Sequence, residues 1–249
     1  MAYERAYFPM NNINVSQGYG VGTHEYSYAL DLCGKDGSAE DIFAPFDCKI
    51  TKLYQPKDTK KHATEVWITS TCKVLCPNGY YGYLTMSLTH PKEISNMKLG
   101  TKFKQGQLIC HEGTTGSATG NHVHLELSVG TTAGWDSAMI KKHGVYVNVN
   151  RVKPEEYLFV KESAKIINKK AKKGNMGTLI KESDITKTVK GVPQEPLNIH
   201  KTPDYKSSSI IKGKGLKNNE QVIEFYTKGT MSYVYHYETL GYVASKYLV

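Results

Sequence analysis

The chain has 249 residues, enough for one large domain or two modest ones with a buried core. Its 32 lysines and arginines outnumber 23 acidic residues, and Arg5 and Arg151 are the only arginines. The lysines are spread along the chain, and nothing in it resembles a recognition helix or an arginine-rich arm. The charge therefore indicates attraction to an anionic polymer or a contribution to solubility, and it argues against nucleic-acid binding.

Cysteine usage and hydropathy bear on the compartment. Five cysteines, an odd number, argue against a complete disulfide framework and predict synthesis in a reducing cytosol. The first residues contain no apolar run behind a basic segment, and no stretch approaches the roughly 18 apolar residues of a membrane helix. We therefore expect neither an ordinary signal peptide nor membrane insertion.

Short strands separated by turn signals dominate residues 1–160, which predicts a mainly antiparallel β domain with a short helical turn at 154–160. A lysine-rich, weakly helical segment broken by glycines follows at 161–183 and predicts a linker. Short strands then resume, and residues 184–249 are predicted to form a small β-barrel. The predicted strands are 28–32, 48–53, 65–69, 83–88, 107–111, 121–129 and 146–149, then 197–203, 209–211, 221–225, 232–235 and 241–248.

A glycine-rich loop runs into a strand that carries two histidines. Gly113, Gly116 and Gly120 allow the backbone to approach closely, as the floor of a groove requires. Because residues two apart on a strand share a face, His122 and His124 point together, away from the apolar residues that alternate with them. The pair is a candidate for metal binding or catalysis.

A carboxylate and a third histidine would complete a catalytic zinc site, which keeps three protein ligands and one open position. Asp31 fits best because it lies in an alternating strand, and His24 precedes it in a glycine-rich approach. The sequence contains no His-Glu-x-x-His, which excludes the common helix-borne arrangement of zinc proteases.

These motifs resemble the lysostaphin-like, LytM-type zinc endopeptidases, which cut peptidoglycan peptides. The resemblance covers roughly residues 15–150. It rests on Tyr28-Ala-Leu-Asp31, the Ala44-Pro-Phe-Asp turn, His90, the glycines at 100 and 106, and Gly113-x-x-Gly-x-x-x-Gly-Asn-His-x-His124.

The resemblance implies a LytM-type β-sheet domain in which His24, Asp31 and His124 hold one Zn²⁺. It also implies catalytic roles for His122 and His90, one taking a proton from the attacking water and the other stabilising the oxyanion. The family's commonest spacing puts a histidine four residues before the aspartate. That position is Ser27 here, and His24 stands seven residues before the aspartate.

The end of the chain has a likeness of its own. Leu197-Asn-Ile-His-Lys-Thr-Pro203 and Gly241-Tyr-Val-Ala-Ser-Lys-Tyr-Leu248 resemble the two ends of bacterial SH3-like cell-wall binding repeats. Such a domain implies attachment to peptidoglycan, which would raise the effective substrate concentration. The two resemblances together imply a phage endolysin, expected to be a monomer, that is made in the host cytoplasm and reaches the wall after membrane permeabilisation.

Two other classes stay open. A zinc-free, non-catalytic peptidoglycan-binding or regulatory protein is motivated by Ser27. A barrel-sandwich carrier domain would use the Ala44 turn and the bend at 104–106 equally well, but it leaves Asp31 and the histidine pair unexplained. Metal analysis of the purified protein distinguishes these classes.

Overall fold

The computed structural model describes residues 4–92, 94–131 and 150–249. Within these ranges the regular structure is almost entirely β, and most neighbouring strands run antiparallel. The predicted fold class, mainly β with antiparallel sheets, is confirmed. The strand predicted at 146–149 lies outside the described residues. No helix in the described part of the chain is long and apolar enough to cross a membrane.

Each predicted strand within the described residues has a counterpart with shifted ends, whereas the strands Val15–Gln17 and Asp41–Phe43 and several two-residue strands were not predicted. Those up to residue 166 are β1 (Glu4–Arg5), β2 (Asn12–Ile13), β3 (Val15–Gln17), β4 (Leu30–Leu32), β5 (Asp41–Phe43), β6 (Cys48–Tyr54), β7 (Glu65–Ser70), β8 (Val74–Leu75), β9 (Tyr81–Gly82), β10 (Leu84–Thr89), β11 (Lys102–Phe103), β12 (Leu108–His111), β13 (Val123–Val129), β14 (Arg151–Val152) and β15 (Lys165–Ile166).

The remaining strands are β16 (Thr186–Thr188), β17 (Leu197–His200), β18 (Ile210–Leu216), β19 (Gln221–Lys228), β20 (Met231–His236) and β21 (Thr239–Ala244). Within the described residues, helical structure is confined to short pieces. These are an α-helix at Pro154–Tyr157, within the predicted helical turn, and 3₁₀ turns at Gly22–His24, Glu182–Ile185, Ser207–Ser209 and Ser245–Tyr247.

One large antiparallel sheet organises the first part of the chain. Its order is β11-β6-β7-β10-β13-β4-β3, with β14 also paired to β13. Strand β13 lies between β10 and β4, and its alternate residues Val123, Leu125 and Leu127 are fully buried in the core. The opposite face of β13, which carries the histidines, is thereby fixed by the register. We call the described residues up to 160 the head.

Residues 161–183 differ from the predicted weakly helical linker. Within them residues 164–179, which we call the strap, run along the edge of the head. Strand β15 pairs in parallel with β2, and the Lys172 N–H donates to the Val15 carbonyl at 3.0 Å. Apolar side chains of the strap join the core of the head: Ala164, Ile166, Ala171, Met176 and Leu179. The lysine-rich composition gave no indication of this pairing, because an extended backbone can pair with a strand while its lysine side chains reach solvent.

The last six strands form a second sheet, the C-terminal sheet, in the order β16-β19-β20-β21-β17-β18. It has a core of its own that includes Ile199, Val234 and Val243. The sequence pattern predicted five of its strands but missed β16, a three-residue strand of Thr, Lys and Thr without a buried side chain.

The C-terminal sheet packs directly against the head. Arg5 Nε lies 2.8 Å from Glu182 Oε2, and the Arg5 guanidinium lies 5.1 Å from the centroid of the Tyr235 ring. Leu75 of β8 is fully buried and packs with Ile223 and Tyr235 of the C-terminal sheet. The sheet is therefore docked on the head as well as connected to it through the chain.

Asn168 fastens the strap to β3. Its side-chain Nδ2 donates to the Val15 carbonyl at 2.8 Å, and its Oδ1 accepts from the Val15 N–H at 2.8 Å. Asn168→Ala should lower the free energy of unfolding by about 1–3 kcal/mol, because both backbone groups of Val15 lose a partner. Urea denaturation measures the change. The control is Asn198→Ala, at an exposed position of β17, and an equal loss in both variants would contradict the role given to Asn168.

Glu112, just after β12, is a buried carboxyl group. Its Oε2 accepts from the backbone N–H groups of Gly34 (3.0 Å) and Glu40 (3.1 Å). Burial raises the pKa of Glu112 from 4.5 to about 7, since the two backbone hydrogen bonds only partly offset the loss of water.

The folded protein therefore binds this proton more tightly than the unfolded chain does. The stabilisation from Glu112 should be complete below about pH 4.5 and lost as the pH rises through 7, with a total change of about 3 kcal/mol. Glu112→Gln keeps a neutral acceptor and should remove this part of the pH dependence of unfolding. Glu195→Gln, at an exposed site near the C-terminal sheet, should retain the wild-type slope between pH 5 and 7.

Candidate metal centre

Asp31 and His124 face each other on neighbouring strands. The register of β4 and β13 places them directly opposite, so their side chains share one face of the sheet. His124 Nδ1 lies 3.1 Å from Asp31 Oδ1. His24, at the end of the 3₁₀ turn, brings its Nε2 to 3.2 Å from the same oxygen and to 2.9 Å from His124 Nδ1. The three residues predicted as metal ligands are thus brought together.

The hydrogen bonds on the far side of each ring indicate which nitrogen carries the proton. His24 Nδ1 lies 3.1 Å from the Gly18 carbonyl oxygen, which can only accept, so Nδ1 is the donor and Nε2 presents a lone pair. His124 Nε2 lies 3.7 Å from a carboxylate oxygen of Glu126, which favours a proton there and a lone pair on Nδ1. When both rings are neutral, two ring lone pairs and a carboxylate oxygen point at one another, an arrangement that a proton or a metal cation stabilises.

This donor set fits zinc. Zinc binds imidazole nitrogen and carboxylate oxygen at about 2.0–2.2 Å, so the ligand atoms of a tetrahedral site lie roughly 3.3 Å apart. The observed separations of 2.9, 3.1 and 3.2 Å come close to that value. Two nitrogen donors and one carboxylate also match the composition of catalytic zinc sites, which leave a fourth position open.

The electrostatics of the cluster favour positive charge. Burial lowers the pKa of His124, but hydrogen bonds to Asp31 and Glu126 outweigh burial and raise the pKa to about 9. Burial acts in the opposite direction on Asp31, yet its hydrogen bonds to His124 and His24 hold the pKa of that carboxyl well below its usual range. The same groups that attract a proton would attract a metal ion.

His90 and His122 lie beside this cluster. Their ring centroids are 4.6 Å apart, and the His90 ring lies 6.4 Å from that of His124. His90 Nδ1 lies 2.7 Å from the Thr115 carbonyl, and His122 Nδ1 lies 2.8 Å from the Gly120 carbonyl. Each Nδ1 is therefore the donor atom, and each ring keeps a lone pair on Nε2.

The backbone around His90 is unusual. His90 follows β10 with a φ of +76°, in the left-handed region that few side chains favour, and Pro91 comes next. The glycine-rich loop packs against this turn, since a Cβ on Gly113 would lie 2.5 Å from the His90 carbonyl oxygen. Only glycine permits that approach, so the loop is a close-fitting support for His90, as the sequence predicted for a groove floor.

The cluster and the two neighbouring histidines open onto a cleft of about 440 Å³. Gln17, Thr23 and Ser117 of the glycine-rich loop also line it, while His24 is fully buried. Four of the five predicted site residues line the cleft: Asp31, His90, His122 and His124.

Sequence reasoning missed the groups that contact the two histidines of the cluster, Glu126 and the Gly18 carbonyl. Glu126 extends the alternation that placed His122 and His124 on one face, and that signal was sufficient to include it. The Gly18 carbonyl, by contrast, gives no signal in the sequence. Ser27 occupies the family's usual ligand position, but in the structure its side-chain oxygen is buried without a hydrogen-bond partner, and His24 lies in the cluster.

No family model matches the chain. A stretch of 140 residues is 34% identical to Morphogenesis protein 1 of Bacillus phage B103, covering 54% of this chain but only 36% of that relative's length. Among solved structures, the chain is similar to the antimicrobial peptidase lysostaphin from Staphylococcus simulans, with 17% identity, 98% of this chain and 92% of that chain covered, and a TM-score of 0.43. It is also similar to the catalytic domain of the prophage-encoded M23 protein EnpA from Enterococcus faecalis, with 21% identity, coverage of 47% and 82%, and a TM-score of 0.35.

Proposed function

We propose that the chain is a zinc-dependent endopeptidase that hydrolyses peptide bonds in bacterial peptidoglycan. The observation that carries the proposal is the convergence of His24, Asp31 and His124 beside an open cleft that also holds His90 and His122. A structural zinc site is closed by four protein ligands, whereas this cluster offers three beside an accessible cleft. Two further imidazoles next to an accessible ligand cluster support catalysis on a bound substrate.

The proposed mechanism is metal-assisted amide hydrolysis. Zinc held by His24, Asp31 and His124 would supply Lewis-acid polarisation of the scissile carbonyl. His90 and His122 keep fixed tautomers because carbonyl oxygens hold their Nδ1 protons. One ring accepts a proton from the attacking water at Nε2, and the other, when it also carries a proton on Nε2, donates a hydrogen bond to the oxyanion. Burial lowers the pKa of His90, which keeps that ring neutral and able to accept a proton near pH 7.

Substitutions should separate metal binding from catalysis. Asp31→Ala and His124→Ala should each lose zinc together with activity. His122→Ala should retain zinc but lose about two or more orders of magnitude in rate, because proton transfer or oxyanion stabilisation is removed. Elemental analysis measures the zinc, and release of peptides from soluble muropeptides measures the rate.

The matched control is His62→Ala, at an exposed histidine on the head, which should keep both zinc and activity. Full zinc retention in Asp31→Ala would contradict the ligand assignment. Loss of zinc in His122→Ala would show that this residue is a ligand rather than a catalyst. A wild-type protein without zinc affinity would favour the zinc-free, non-catalytic alternative.

We further propose that the C-terminal sheet is the SH3-like wall-binding module and that the catalytic unit extends through the strap. Three tyrosines on neighbouring strands support this role. The Tyr226 ring lies 5.2 Å from that of Tyr233, which lies 4.8 Å from that of Tyr242, and the hydroxyls of Tyr226 and Tyr242 are 2.9 Å apart. Such partly exposed aromatic faces with polar tips suit contact with glycans and peptides.

Tyr226→Ala should reduce the fraction of protein that sediments with purified walls, while cleavage of soluble muropeptides stays unchanged. Tyr226 is 42% exposed, and the control Tyr237→Ala removes a 77% exposed tyrosine in the turn between β20 and β21. Added salt should weaken binding of all forms, because lysines contribute by screened attraction to anionic polymers. Equal wall binding by both variants would mean that the tyrosine cluster is not the contact surface.

The proposed setting is a phage endolysin that is made in the host cytoplasm and acts after membrane permeabilisation. The relative in phage B103 favours a second candidate, since it is a morphogenesis protein. In that case the same site would belong to an enzyme carried in the phage particle rather than to a free lysis enzyme. Mass spectrometry of purified phage particles separates the two, because an endolysin should be present in the lysate and absent from particles.

A further inference from the structure

The strap reaches the loop that carries His24. The N–H of Tyr19 donates to the Asn175 carbonyl at 2.9 Å, and the Asn175 N–H donates back to the Tyr19 carbonyl at 2.9 Å. One position earlier, the Gly18 N–H donates to the Lys173 carbonyl at 2.7 Å. Three backbone hydrogen bonds therefore join residues 18–19 to residues 173–175, which are remote from the ligand segment in sequence.

One peptide group connects the strap with His24. The peptide unit between Gly18 and Tyr19 has its N–H on the strap, at the Asn175 carbonyl, and its carbonyl oxygen 3.1 Å from His24 Nδ1. A peptide unit is planar, so fixing one edge fixes the direction of the other. The strap thereby sets the direction from which the Gly18 carbonyl accepts the His24 proton.

The packing at this contact leaves no room for adjustment. A Cβ on Gly18 would lie 2.0 Å from the Asn175 carbonyl oxygen. Gly174 has a φ of +78°, and a Cβ there would lie 2.6 Å from Val21 Cγ2 and 2.8 Å from the Gly18 carbonyl oxygen. Both glycines are needed for two backbones to meet at this distance.

The contact between residues 18–19 and the strap restrains His24, which lies seven residues before Asp31 in the chain. Asp31 and His124 are held by strand pairing, whereas His24 lies in a loop that joins β3 to β4. Its ring is fully buried, and Gly18 fixes its tautomer and direction. A hydrogen-bond partner on the second nitrogen of a ligating histidine orients the ring and raises its basicity.

We propose that Gly174 and Asn175 of the strap are positioning residues for the metal centre, acting through the Gly18–Tyr19 peptide on His24. This inference rests on the proposed metal site. It extends the functional unit beyond the segment that contains the ligands, and it identifies the strap as a determinant of zinc affinity.

Zinc affinity of the full chain tests the inference. Gly174→Ala should raise the zinc Kd by about 10- to 100-fold, the usual effect of disturbing a group that orients a metal ligand. The control is Gly100→Ala, also in the left-handed region with a φ of +81° but with nothing within 4 Å of the added Cβ. Competition with a chelating dye measures Kd, and thermal unfolding without zinc reports whether each variant folds.

An unchanged Kd in Gly174→Ala, or an equal increase in both variants, would overturn the inference while leaving the zinc site itself intact. Absence of zinc binding in the wild type would instead refute the proposed function. If Gly174→Ala does not fold, hydrogen exchange of the wild type decides. Zinc should slow exchange of the Tyr19 and Asn175 amides, whereas protection limited to the ligand segments would refute the role of the strap.

Discussion

Three polar atoms held within hydrogen-bonding distance are the constraint on which the rest of the structure depends. His24 Nε2, Asp31 Oδ1 and His124 Nδ1 lie within 3.2 Å of one another. Such an arrangement is held only if the backbones that carry these atoms cannot move apart. Strand pairing provides this for Asp31 and His124, since both lie in the interior of an antiparallel sheet above a fully buried apolar layer.

Local periodicity accounts for most of what could be predicted. Alternation in one strand placed Asp31 and in another placed His124, and the antiparallel register then brought them opposite each other. His122 follows from the same alternation as His124, whereas His90 and both catalytic roles come from the family resemblance, because neither the φ of His90 nor its carbonyl partner is visible in a sequence pattern. Glu126 continues the alternation of His122 and His124, so its place on the same face of the strand could also have been predicted.

The strap could not be predicted for a different reason. Its lysines and glycines have the composition of a flexible connection, and composition describes side chains only. What fixes the strap is main-chain pairing with β2 and β3, together with the side chain of Asn168. Main-chain donors and acceptors are the same in every non-proline residue, so their partners depend on the fold and cannot be identified from residue types. Domain boundaries drawn from composition are least reliable where a segment pairs through its backbone.

Because the C-terminal sheet is docked on the head, binding of that sheet to the wall would fix the position of the catalytic cleft relative to the wall. Arg5, Glu182 and the buried contact of Leu75 with Tyr235 restrain the orientation of one part relative to the other. A flexible connection between the two parts would let the cleft take many positions around the point of attachment. The docked C-terminal sheet would instead keep a fixed distance between the point of attachment and the bond that is cut. The repeat spacing of the wall polymer would then determine which bonds the cleft can reach.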